Sequence, residues 1–138
     1  MISYKNTIRY KFMLIMDNIG GFLESSLLET GLIPKHYGVL LAIKEHPNIT
    51  QSDLAGKLVI DRSTTGKLVD LLEEKSYLKR NKHSSDRRAH CLSLTSDGEV
   101  LVDKLWNIMK EAEYKALSNL TTEETDTFMF LLDKIIEK

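Results

Sequence analysis

The strongest constraint on how this chain can fold is a change of hydrophobic period. Over most of the sequence apolar residues recur every three or four positions, the spacing that gives an α-helix a buried stripe. Between residues 78 and 94 the period shortens to two, with Leu92 and Leu94 on one face. Leu78 to Lys82 and Ala89 to Leu94 therefore read as two short strands, joined by the polar hairpin loop His83-Ser84-Ser85-Asp86-Arg87-Arg88. With only 7 Gly and 2 Pro among 138 residues, little material is left for further sheet. The length suits one domain, expected to be mainly α with a small β-hairpin wing.

The helical stretches divide at recognisable signals. Ile8, Phe12, Ile15, Met16, Ile19, Phe22, Leu23 and Leu27 make one stripe that stops near Gly31, and Met13, Leu14 and Leu28 fall outside it. Pro34, a favoured first helical residue, opens a second helix with Tyr37, Leu40, Leu41 and Ile43 inward, ending at His46-Pro47. Thr50 with Asp53 has the spacing of a capping box before a short helix burying Leu54, Ala55 and Leu58. Asp61 is a good N-cap for the next helix, which buries Leu68, Leu71 and Leu72. Two short helices so closely spaced, followed by a hairpin, form a winged helix-turn-helix. After the wing, Thr95 or Ser96 caps a long helix with Leu101, Leu105, Ile108, Met109, Ala112 and Ala116 inward; Ser96 with Glu99 has box spacing. Thr121 with Glu124 makes a fuller box, opening a last helix with Phe128, Leu131, Leu132, Ile135 and Ile136 inward and Met129 and Phe130 off the stripe.

Charge is uneven along the chain. The net −1 is the sum of +1 over residues 1–49, +3 over residues 50–90 and −5 over residues 91–138. Residues 75–90 hold six basic side chains (Lys75, Lys79, Arg80, Lys82, Arg87, Arg88) against the single acid Asp86. A basic centre of this kind suits a polyanion, although a merely solvated charged face gives the same arithmetic. Helices at both ends that are apolar on more than one side call for a partner surface, and a second copy is the simplest one. The longest apolar runs, Phe12 to Met16 and Phe128 to Leu132, are too short to span a membrane, and the first has no cleavage site of a signal peptide after it. A single Cys fits a reducing compartment, so a cytoplasmic protein is expected.

The ordered set Gly31-Leu32-Ile33-Pro34, Thr50-Gln51-Ser52-Asp53-Leu54-Ala55, Asp61-Arg62-Ser63-Thr64-Thr65, Leu68 to Lys75, Ser85-Asp86-Arg87-Arg88 and Leu92-Ser93-Leu94-Thr95 resembles the MarR family of transcriptional regulators. The likeness covers nearly the whole chain, and its most specific piece is the Asp-Arg-Arg of the wing. It implies a homodimer, with residues 1–30 and 97–138 as dimerisation helices and residues 32–95 as a winged helix-turn-helix. It also implies binding to a pseudo-palindromic operator in double-stranded DNA, usually as a repressor released by a small, often phenolic and anionic, effector. No cofactor or metal is implied. The chain departs from the family at Ile33, which cannot cap the second helix with its side chain, at Gly66 within the recognition helix, and at Ser76, where Gly is usual.

On this reading the recognition helix offers Arg62, Ser63, Thr64, Thr65 and Lys67 to the major groove, where Arg forks to guanine and a Thr methyl touches thymine. Thr50, Gln51 and Ser52 open the preceding helix, whose free N–H groups suit a phosphate oxygen. Lys82, Arg87 and Arg88 supply the wing; by resemblance Arg88 enters the minor groove and Asp86 braces the loop. Cys91 reads as a small strand residue with basic neighbours, and His36 as a satisfied side chain or a ligand contact. No nucleophile elbow, phosphate loop or carboxylate pair suggests an enzyme. Two other readings stay open: a DNA-binding regulator with no effector, and a helical protein–protein interaction dimer with a vestigial wing.

Overall fold

A computed structural model describes residues 1–82 and 90–137. Six helices run α1 Ile8–Leu27, α2 Pro34–Glu45, α3 Gln51–Leu58, α4 Arg62–Glu74, α5 Ser96–Ala116 and α6 Thr122–Ile136, with strands β1 Leu78–Lys82 and β2 His90–Leu94 between α4 and α5. The strands pair antiparallel, Leu78 opposite Leu94 and Lys82 opposite His90. A third extended piece joins them: the Leu92 amide donates to the Ile49 carbonyl at 2.9 Å, and Asn48 returns a bond to Leu92 at 3.2 Å. Residues 83–89, which hold Asp86, Arg87, Arg88 and most of the expected loop, lie outside the described residues.

The core sits where α2, α3, α4, the wing strands and the first half of α5 converge. Leu40, Leu54, Leu72, Leu78 and Leu92 are its floor, and Leu23 and Leu27 close it from α1. The caps follow the sequence with two corrections. Thr50 Oγ1 accepts from the Asp53 amide at 3.1 Å, but only this half of the expected box forms, since Asp is one methylene shorter than the usual Glu. Thr95, not Ser96, caps α5 by accepting from the Gly98 amide at 3.1 Å, and Glu99 turns instead to Lys44. Thr121 and Glu124 form the complete reciprocal box.

Two glycines are fixed by geometry. Gly31 ends the α1 segment at φ 73°, a left-handed value that costs glycine nothing. At Gly98 an added Cβ would lie 1.9 Å from the Tyr77 carbonyl oxygen, so the start of α5 can dock on the wing only without a side chain there. Ser76 takes the left-handed conformation itself, at φ 64°, so α4 closes in the usual Gly manner despite the substitution. Tyr77 N–H then reaches the Leu72 carbonyl at 2.9 Å, and Thr95 Oγ1 donates to the Ser76 carbonyl at 2.6 Å.

The terminal helices depart from expectation. In α1 only Leu23 and Leu27 are buried, while Ile8, Phe12 and Met16 of the expected inward stripe are exposed. In α6 no residue is buried; Leu131, Ile135 and Ile136, expected inward, face solvent beside Met129 and Phe130. The periodicity located the apolar stripes, but this chain's own core ends at the middle of α5 and leaves them bare, on the helices that the sequence reading had given a partner surface. Leu71 and Leu58 are likewise half-buried at the core edge.

Candidate nucleic-acid interface

The helix-turn-helix is α3 and α4 joined by Val59, Ile60 and Asp61. Val59 is left-handed at φ 54° and 91% exposed, an unusual state for a β-branched residue. It lets the Val59 and Ile60 amides close on the last carbonyls of α3, and turns the chain into the Asp61 cap. Asp61 Oδ1 accepts from the Thr64 amide at 2.8 Å and Oδ2 from the Thr64 hydroxyl at 2.7 Å. These bonds hold the Asp61 carboxyl below its ordinary range, so it stays ionised at the positive end of α4.

The first turns of α4 separate sharply by face. Arg62, Ser63 and Lys67 are exposed, and Thr64 is half-buried with its hydroxyl proton committed to Asp61. Thr65 is different: it is fully buried, and its hydroxyl has no partner among the described residues. A step of about 100° per residue turns Thr65 inward together with Leu68, Val69 and Leu72, so it cannot touch a groove. Its three-, four- and seven-residue spacing to those positions was legible in the sequence. At Gly66 an added Cβ would meet Gln51 Nε2 at 3.4 Å, so this glycine lies on the side of α4 that faces the start of α3.

At the paired helix starts, Gln51, Ser52 and Arg62 line one dent of about 200 Å³. Thr50 caps α3 and is half-buried, Gln51 is half-buried, and Ser52 is exposed. Lys82 is exposed at the end of β1. The structure thus brings Thr50, Gln51, Ser52, Arg62, Ser63 and Thr64 to one surface, with Lys67 one turn further along.

The basic block is less available than its sum suggests. Arg80 is 19% exposed and spends its guanidinium inside the protein: Nη2 to Asp70 at 2.6 Å, Nη1 to Glu73 at 2.9 Å and Nε to Gln51 Oε1 at 3.2 Å. Its own amide also donates to Glu73 at 3.2 Å. One side chain therefore ties β1 to both helices of the reading head. Lys75 stands by Gly31 and His36 rather than with the wing. The period of two puts Arg80 on the face of Leu78 and Lys79 on the other, but nothing in the linear pattern separated Arg80 from Lys82; Lys79 and Lys82 are exposed.

His36 resolves the missing cap at Ile33. Its Nδ1 accepts from the Ile33 amide at 2.9 Å, and its own amide donates to the Ile33 carbonyl at 2.9 Å. The buried ring must be neutral at Nδ1 to accept. Burial first, and Lys75 nearby, hold its pKa below the ordinary 6.5, and the N–H it accepts from Ile33 favours the same neutral form. Cys91 is buried between the paired strand and the Thr50 bridge.

An exposed helix start beside a capped neighbour and a hairpin define a winged-helix DNA-binding protein. The model of the MarR family matches residues 32–90. A curated relative from Thauera aromatica, a putative transcriptional regulatory protein for the hcr operon, is 31% identical over 114 residues, covering 83% of this chain and 69% of its own length. The crystal structure of a MarR variant from E. coli complexed with operator DNA superposes with a TM-score of 0.84 at 20% identity, covering 99% of both chains. The PcaV transcriptional regulator from Streptomyces coelicolor, solved with its natural ligand, gives 0.83 at 19% identity over 98% of this chain and 95% of that one. The chain belongs to the MarR family of transcriptional regulators. It is a DNA-binding regulator, not an enzyme. No helix among the described residues is long and apolar enough to cross a membrane.

Proposed function

We propose that two copies of this chain pair through α1, α5 and α6 and place two copies of α4 in successive major grooves of one operator face, near one duplex turn apart. The observation that carries this reading is the division of α4 into a fully buried face and an exposed face bearing Arg62 and Ser63 in the first turn and Lys67 in the second. An exposed start is what a recognition helix presents to base edges. Arg62 is the side chain able to fork to guanine, and the Gln51–Ser52–Arg62 dent fits a backbone phosphate held by the free amides of α3. Lys82 extends this surface along the wing. Arg88 adds a minor-groove contact and Arg87 a further DNA contact from the wing, with Asp86 bracing the loop, on the strength of the family likeness alone.

Pairing is supported by the bare apolar faces of α1 and α6, since a monomer rarely leaves so much apolar surface in water. By likeness to the ligand-bound and operator-bound relatives, the protein acts as a repressor whose hold on DNA is loosened by a small effector between the dimer helices and the head. Selection of bound sequences from a random DNA pool tests the reading. An enriched two-fold symmetric site is expected; absence of any enriched sequence would overturn it. At that site Arg88→Ala should weaken binding and reduce the slope of log affinity against log salt by roughly 0.9.

A further inference from the structure

A cavity of about 380 Å³ opens between α2 and α5, lined by Leu41, Lys44, Glu45, Val102, Asp103 and Trp106. We propose that this cavity binds an amphipathic organic cation, an aromatic body carrying a quaternary or protonated amine. The volume lies in the range of small-molecule sites, and Leu41, Val102 and the Trp106 ring give it apolar walls. Trp106, the chain's single Trp, is 43% exposed and forms one wall of the cavity.

Charge at the rim chooses the sign of the occupant. Lys44 is the only cation of the lining, and it is already bonded to Glu99 and lies 4.0 Å from Asp103. Its pKa is raised, first by the Glu99 bond, so its charge is present but matched. Lys44, Glu45, Glu99 and Asp103 together carry −2, and Lys110, beside the Trp106 ring, is itself matched by Glu113 at 3.6 Å. An anion entering here meets repulsion and no free cation of the lining, whereas a cation is attracted to Asp103 and Glu45. The indole also accepts a positive charge on its face: Lys110 Nζ lies 4.5 Å from its centroid. A ligand cation repeats that contact within a cavity whose walls exclude part of its water.

The site joins the two halves of the molecule, α2 belonging to the head and α5 to the dimerisation part. Binding there stands on the cavity alone, and its regulatory meaning rests on the proposed effector-responsive DNA binding. The native protein supplies its own probe, because Trp106 fluorescence reports the cavity directly. Benzyltrimethylammonium, benzyl alcohol and phenylacetate present the same ring with positive, neutral and negative groups. The cation is expected to change the fluorescence saturably, with affinity at least about tenfold above phenylacetate. Asp103→Asn should reduce that preference several-fold without altering the fold, read by circular dichroism. Equal binding of phenylacetate, or no saturable change with the cation into the millimolar range, would overturn the proposal. A titration of the selected operator at saturating cation separates the two readings. Weakened DNA binding makes the cavity an effector site, unchanged binding removes that role, and failure to bind DNA without any ligand condemns the proposed function while the fluorescence still decides the site.

Discussion

In the winged head, Leu40, Leu54, Leu72, Leu78 and Leu92 are each at most 1% exposed, whereas in α6 Met129, Phe130, Leu131, Ile135 and Ile136 are 47% to 75% exposed. The two regions draw on the same kind of residue, large aliphatic and aromatic side chains, set in the head on helices and strands and in α6 on one well-capped helix. The head closes because several elements meet at one point within a single chain. The last helix has no such meeting place and carries its apolar residues on more than one side. Covering five such side chains is worth on the order of 10 kcal/mol before the costs of association. The lesson is that completeness, rather than composition, distinguishes a folding core from an assembly surface.

The comparison breaks most visibly if charge is placed on the open face. Phe130→Asp with Ile135→Asp should leave the head folded but give monomers in sedimentation, and operator affinity should fall by about 10²–10⁴-fold as the two heads lose their linkage. A dimer that survives both substitutions would mean that α6 is not the assembly surface. The closed face responds in the opposite sense: Leu72→Ala should cost about 2–5 kcal/mol of folding stability in urea titration, by opening a cavity under the recognition helix.

Within the head, Arg80 sharpens the contrast between charge that folds and charge that binds. Arg80→Met should lower operator affinity about tenfold by freeing β1 from Asp70, Glu73 and Gln51, yet leave the salt slope unchanged, because the guanidinium is spent internally. Arg62→Ala should lower both affinity and slope, since Arg62 is exposed beside the dent. The left-handed turn gives a smaller effect: Val59→Gly should raise stability by about 1 kcal/mol, seen as a higher unfolding midpoint.

The smallest effect is one of pH. The His36 ring caps α2 only when Nδ1 is unprotonated, and its folded pKa lies below the ordinary 6.5. The unfolded chain therefore takes up this proton first as pH falls. Its contribution to stability is complete above about pH 6.5 and is lost as pH drops from there toward the folded value. Unfolding titrations across this window should show the decline, and His36→Asn should flatten it.

Much of the head was legible in advance because its signals are local. Thr50, Asp61, Thr95 and Thr121 mark helix starts through bonds spanning three residues, Pro34 marks one by its fixed φ, and the period of two marked β1 to the residue. Thr65 was misread as a groove contact, although its spacing to Leu68 and Leu72 placed it on the buried face. His36 as the cap of α2 could have been foreseen from its place three residues after Ile33. Gly98 could not, since its reason is the Tyr77 carbonyl 21 positions earlier in the chain.

The sequence by itself determined the helices, the paired strands, most of the caps and the family, because each depends on residues a few positions apart or on their order. Only the tertiary structure decided which apolar stripe found a partner within the chain, which basic side chain was consumed by Asp70 and Glu73, and which carboxylates gathered at the mouth of the α2–α5 cavity. Periodicity says that a face is apolar, but what covers it depends on where distant elements come to rest. Charge works the same way: a sum along the chain is fixed by composition, while its availability to a ligand is fixed by the nearest opposite charge in space.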